Sequence, residues 1–118
     1  MARHNSRNLK IWKESLDLVK ANSDLTKSFP KEERFDLISQ MNRSSISIPS
    51  NIAKGTAKSS NKHFKIFLEN SLGSTYEWET QLEIAKIKDY VKLNDYENLK
   101  DKISQIQRMI GSFIDRFV

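Results

Sequence analysis

Cysteine is missing from these 118 residues, which removes disulfides, thiolate zinc sites, iron–sulfur clusters and thiol nucleophiles together. Long apolar runs are missing as well, none approaching the roughly 18–20 residues that a membrane span needs. The opening Met1-Ala2-Arg3-His4-Asn5-Ser6-Arg7 is polar and basic and carries no apolar signal-peptide core. A soluble, cytoplasmic protein without a membrane partner or cofactor is expected. Glycine (3 residues) and proline (2 residues) are too scarce for the connections that all-β and α/β folds require. Four long helices need only three connections. Phe29-Pro30, the stretch Lys54–Ser60 and Lys92-Leu93-Asn94 supply three candidates. The predicted architecture is all-α: an antiparallel, up-down-up-down four-helix bundle over residues 8–118, preceded by a basic N-terminal arm over residues 1–7.

Apolar spacing places the helices. Over residues 8–28, Leu9, Trp12, Leu16 and Val19 form one stripe and Ile11, Leu18 and Leu25 a second. Together they fill an arc of about 200°, wider than the little over 100° that a surface helix needs, which points to burial on two sides, including against another subunit. The second helix is expected to open at Pro30, with Glu32 and Glu33 favourable in its first turn. Phe35, Ile38, Met41, Ser45, Ile48 and Ile52 continue its buried face. It either stops before Pro49 or runs through with a kink; the unbroken three- and four-residue steps favour continuation to Gly55, where glycine can close it. The third, over residues 60–89, lines up Phe64, Phe67, Leu68, Leu72, Trp78, Leu82 and Ala85. Its mid-helix Gly73 suggests close approach of a neighbouring backbone. Asn94 is the expected N-cap of the fourth, with Glu97 closing a capping box, and the seam runs through Tyr96, Leu99, Ile103, Ile106, Ile110, Phe113 and Phe117.

The net charge of +5 is unevenly placed. From Leu37 to Leu68 there is no Asp or Glu, while Arg43, Lys54, Lys58, Lys62 and Lys65 all fall there. A second basic group, Arg3, Arg7, Lys10 and Lys13, opens the chain. Lys62 and Lys65 stand near the start of the third helix, where free backbone N–H groups also favour anions. Polyanion binding is one reading, with Arg43, Lys54, Lys58, Lys62 and Lys65 as phosphate contacts and Arg3 and Arg7 as a flexible supplement. A merely solvated, self-repelling surface is the other. No RNP-type aromatic motif, zinc-finger spacing or KH-type Gly-x-x-Gly is present, so phosphate and shape would dominate over base readout.

Catalytic constellations are absent from the pattern. The two histidines, His4 and His63, do not form the paired Glu-x-x-His of a dimetal bundle. No serine sits in a nucleophile elbow, and no Gly-rich phosphate loop occurs. Glu77, Glu79 and Glu83 crowd the third helix and could hold a hard cation, although such a group more often pairs with lysines. The chain is therefore expected not to be an enzyme.

Several motifs in order are specific. Trp12-Lys13-x-Ser15-x-Asp17-Leu18-Val19 leads to Leu25-Thr26-x-x-Phe29-Pro30-Lys31-Glu32-Glu33-Arg34-Phe35. Ser39-Gln40-x-x-Arg43, Ser47-Ile48-Pro49-Ser50-Asn51-Ile52-Ala53, Phe64-x-x-Phe67-Leu68 and Gly73-Ser74-x-x-Glu77-x-Glu79-Thr80-Gln81-Leu82 follow. Over residues 9–117 the chain resembles the four-helix bundle family of 23S ribosomal RNA intervening-sequence proteins, related to the accessory variability determinants of diversity-generating retroelements. The resemblance implies a proline inside the second helix, a homopentamer, RNA as the default nucleic-acid partner, and a reverse transcriptase as a protein partner. Two positions depart from the family pattern. Lys54 in Ile52-Ala53-Lys54-Gly55 replaces an acid, and Asn42-Arg43 replaces an Arg-Arg pair. A protein–protein scaffold for a polymerase, with the basic surface incidental, is the alternative function.

Overall fold

The computed structural model describes residues 5–117. A 3-10 turn at Ser6–Asn8, its Asn5 side chain accepting from the Arg7 N–H, leads into four helices. These are α1 (Lys10–Thr26), α2 (Leu37–Thr56), α3 (Asn61–Ile87) and α4 (Leu93–Asp115). Each helix packs on the next and α4 closes back on α1, giving an elongated bundle of 48 × 25 × 20 Å. The initial turn also touches α2, so the end of the expected arm is folded onto the bundle. Among the described residues no helix is long and apolar enough to cross a membrane.

Leu18, Met41, Ile48, Ile52, Phe64, Leu68, Trp78, Leu82, Ile103, Ile106 and Ile110 are fully buried and form the core. Burial of each such side chain contributes about 1.5–3 kcal/mol. The core carries polar ties as well. The Trp78 indole N–H donates to Asn22 Oδ1 at 3.0 Å, and Asn22 Nδ2 donates to Asn42 Oδ1 at 2.8 Å, linking α3, α1 and α2. Among the described residues every buried side-chain nitrogen and oxygen has a partner, as the cost of an unpaired buried polar group requires.

α2 runs unbroken through Pro49, as the spacing favoured. Its serines are poor helix formers in isolation but small enough for α3 to come close. The Ser44 hydroxyl donates to Gln81 Oε1 at 2.6 Å, Ser47 and Ser74 share a 2.8 Å bond, and Ser71 donates to the Ile48 carbonyl at 2.8 Å. These tie α2 and α3 into a hairpin whose tip is the four-residue link Ala57–Ser60.

Four expectations are corrected. Helix two does not open at Pro30: Lys31–Glu33 is a separate 3-10 turn, and Asp36 (φ −124°, ψ −102°) breaks the chain before α2. Phe35 is consequently out of register with the buried face and 90% exposed. Gly55 does not close α2 in a left-handed conformation but lies within it, against α3. There a Cβ would stand 2.7 Å from Phe64 Cδ1 and 3.0 Å from Phe67 Cβ. Gly73 meets nothing within 4 Å, so the close approach occurs at Gly55 instead. α4 begins one residue before Asn94, with Lys92 at the N-cap and no side-chain cap. The turn between α3 and α4 is a Schellman-type closure: Tyr90 N–H bonds the Ala85 carbonyl and Asp89 N–H the Lys86 carbonyl, with Asp89 at φ 61°.

Candidate nucleic-acid interface

The tip of the α2–α3 hairpin gathers four of the expected cations. Lys54 stands two residues before the end of α2, Lys58 is in the link, and Lys62 and Lys65 are in the opening turns of α3. At about 1.5 Å of rise per residue, all four lie within about 6 Å, along the helix axes, of the ends of α2 and α3. They divide into two pairs. Lys58 Nζ lies 4.9 Å from the ring centroid of Phe67, on the side of α3 that Gly55 touches. Lys54 is on the solvent-facing flank of α2. Lys65 precedes Phe67 by two residues, and Lys62 precedes Phe64 by two. At 100° per residue each is rotated about 160° from its aromatic neighbour, over the opposite flank of α3.

Arg43 is not at the tip. It is eleven residues before Lys54, about three turns, and so shares that flank about 16 Å further down the axis. It lines a groove with Gln40, Ser44, Ser47 and Glu77. Arg7 is exposed in the turn before α1; because α1 runs antiparallel to α2, with Trp12 beside Ala53 and Asn22 bonded to Asn42, that turn is at the tip end of the bundle. Arg3 and His4 lie outside the described residues.

Between the two lysine pairs, α3 begins with a side-chain cap that sequence reasoning did not assign. Ser60 Oγ accepts from the His63 N–H at 3.2 Å and lies 2.7 Å from His63 Nδ1. The first turn of α3 contains no acidic residue.

The acidic side chains are engaged elsewhere. Lys100 Nζ lies 2.7 Å from Glu79 Oε2 and 3.2 Å from Glu83 Oε2, and the Tyr96 hydroxyl donates to Glu83. The Lys100 hydrogen bond holds the Glu79 carboxyl below its usual range, and the Tyr96 hydroxyl does the same for Glu83. Lys102 lies 3.3 Å from Glu14 Oε1 and 3.7 Å from Asp17 Oδ2, fastening α4 to α1. Glu77 faces the Arg43 groove rather than Glu79 and Glu83, and no group of three potential metal ligands occurs among the described residues. None of Arg43, Lys54, Lys58, Lys62 and Lys65 takes part in an ion pair among the described residues.

A crystal structure of a protein of unknown function from the S23 ribosomal protein family of Bacteroides thetaiotaomicron superimposes with a TM-score of 0.81. It is 26% identical to this chain, the alignment covering 88% of this chain and 97% of that one. Among curated proteins none matches the chain. The family model for the 23S rRNA-intervening sequence protein matches residues 7–112. With the four-helix architecture and that match spanning nearly the whole sequence, the chain belongs to the 23S rRNA-intervening sequence protein family.

Proposed function

We propose that the protein is a non-enzymatic helical bundle that binds nucleic acid, RNA in the first instance, through the lysines at the tip of the α2–α3 hairpin. The observation that carries this reading is that, among the described residues, Lys54, Lys58, Lys62 and Lys65 form no ion pair at one end of the molecule, while Lys88, Lys100 and Lys102 are all neutralised by carboxylates. A phosphate backbone crossing the tip would meet one lysine pair on either side of the α3 N-terminus, whose partial positive charge adds to theirs. Phosphate contacts of this kind supply affinity without sequence readout. Arg43 would extend the track along α2, and Arg3 and Arg7 are kept as supplementary contacts.

Self-association belongs to the same proposal, with the homopentamer that the family resemblance implies as the expected count. Ile66, Tyr76, Ile84 and Ile87 are exposed on α3; Ile66 and Ile87 are three heptads apart, on its outer flank. A second apolar surface, a groove of about 280 Å³, lies between α1 and α2 and is lined by Trp12, Leu16, Val19, Ile46, Pro49 and Ala53. Two different apolar surfaces on one chain favour head-to-tail contacts, which close into rings when the rotation permits.

Filter binding of a structured RNA to the wild type and to a K54A/K62A/K65A variant tests the interface. The variant should keep its helicity and lose at least tenfold in affinity. Unchanged RNA retention, together with salt-tolerant capture of a polymerase partner, would favour the scaffold reading instead.

A further inference from the structure

A cleft at the same end of the bundle as the hairpin tip, but sharing none of its lysines, opens between the start of α1 and the C-terminal half of α4. Its volume is about 430 Å³, and it is lined by Leu9, Lys10, Ile11, Arg108, Met109, Ser112, Phe113 and Arg116. The floor is apolar: Ile11 is buried, and Leu9, Met109 and Phe113 are packed against the core. The rim is cationic. Arg108, Ser112 and Arg116 recur at four-residue steps on one side of α4, and Lys10 faces them as the first residue of α1. The Arg116 guanidinium stands over the Phe113 ring, 5.1 Å from its centroid, so the cationic rim closes down onto the floor. No carboxylate lines the cleft, and none pairs with the three cations among the described residues. The same end of α1 has no acidic residue in its first turn and no capping side chain, which leaves its leading N–H groups without an anionic partner.

These features fit one chemical class. An apolar floor of Leu9, Ile11 and Met109, with the Arg116 guanidinium plane above Phe113, accepts a flat ring; two guanidinium groups and a facing ammonium accept a phosphate attached to it. The volume suits a single small ligand. A simple anion would leave the apolar floor uncovered, and a neutral aromatic would leave three cations unanswered. We infer that the α1–α4 cleft is a binding site for a nucleoside monophosphate, free or as a terminal or looped-out nucleotide of a longer strand. The site borders the hairpin tip through the contact of Phe113 with Phe64, but none of the tip lysines lines it.

The test is a ¹⁵N-resolved NMR titration of the full chain with adenosine 5′-monophosphate, repeated with adenosine, inorganic phosphate and decanoate. Shift changes are expected at Leu9, Lys10, Ile11, Arg108, Ser112 and Arg116. Adenosine and phosphate should each bind at least tenfold more weakly than the nucleotide, since each satisfies half of the cleft. An R108A/R116A variant alters only exposed side chains; it should keep the wild-type amide spectrum elsewhere and lose the nucleotide affinity tenfold or more. A K54A/K62A/K65A variant should bind the nucleotide as the wild type does. The inference is overturned by no shifts on adding the nucleotide, by equal affinity in R108A/R116A, or by phosphate alone binding as tightly. Preferential binding of decanoate would also overturn it, marking the cleft as a site for aliphatic anions.

Discussion

The same substitution at two glycines should move stability in opposite directions. Both Gly55 and Gly73 lie inside helices, and neither has a positive φ. Replacing a helical glycine by alanine gains about 1 kcal/mol of helix propensity when the new methyl group has room. At Gly73 it has room, because nothing lies within 4 Å of where it would stand, and G73A should stabilise by up to about 1 kcal/mol. At Gly55 the methyl would stand 2.7 Å from Phe64 Cδ1 and 3.0 Å from Phe67 Cβ. Phe64 cannot turn aside easily: it is fully buried, and its ring centroid is 5.5 Å from that of Phe113 and 5.4 Å from that of Phe117. Phe67 Cβ moves only with the backbone of α3. Overpacking costs about 1–3 kcal/mol, and two contacts this short belong to the upper part of that range, about 2–3 kcal/mol, so after the propensity gain G55A should be destabilised by about 1–2 kcal/mol. For a chain of this length each kcal/mol is worth about 4 °C in Tm. Thermal melts followed by circular dichroism should therefore separate the two variants by about 8–12 °C, with urea melts giving the same order. A G55A protein as stable as the wild type would refute the close α2–α3 packing at the hairpin tip. A destabilised G73A protein would refute the open position of that glycine.

Two further outcomes test the polar interior and the acid response. N22A removes the acceptor of the buried Trp78 indole and the partner of Asn42, and should cost about 2–3 kcal/mol in urea unfolding; N42A, on an exposed residue, should cost much less. Glu33 is buried at the end of the bundle, accepting from Lys88 Nζ at 2.8 Å and from the Tyr90 hydroxyl at 2.7 Å. The Lys88 bond first, and the Tyr90 bond second, hold its carboxyl below the ordinary value. A carboxylate with a lowered folded-state pKa contributes fully above its unfolded value, about 4.3, and loses that contribution as pH falls through the folded value. Stability should thus fall on acidification below about pH 4.3, and E33Q should be less stable at neutral pH but lose less on acidification. An E33Q melt that tracks the wild type at every pH would contradict the role of this cluster.

The four helices and nearly all of the buried residues were legible because three- and four-residue apolar steps survive through the serines and proline of α2. Periodicity could not see the break at Asp36, since Phe35 fits the same spacing as Ile38 and Met41 yet belongs to a different turn. Nor could it tell which glycine faces an aromatic ring, because that depends on the register between α2 and α3. Of the candidate site, the four tip lysines follow from a short link between two helices. Arg43 shares their acid-free stretch, but charge runs are linear and the helix carries it about 16 Å away. Arg108 and Arg116 were hidden by the opposite effect: the surrounding residues sum to a net negative charge, although their i,i+8 spacing with Ser112 between places all three on one face. Their charge is concentrated on a helix face, not in a block of sequence.

The salt dependence of RNA binding tests the proposed interface most directly. Each phosphate neutralised contributes about 0.7–0.9 to the slope of log affinity against log salt concentration. Four tip lysines predict a slope of about −3 to −3.5 for the wild type, and about −1 for K54A/K62A/K65A. A wild-type slope near zero, or the same steep slope in both proteins, would contradict the assignment of the hairpin tip as the nucleic-acid interface.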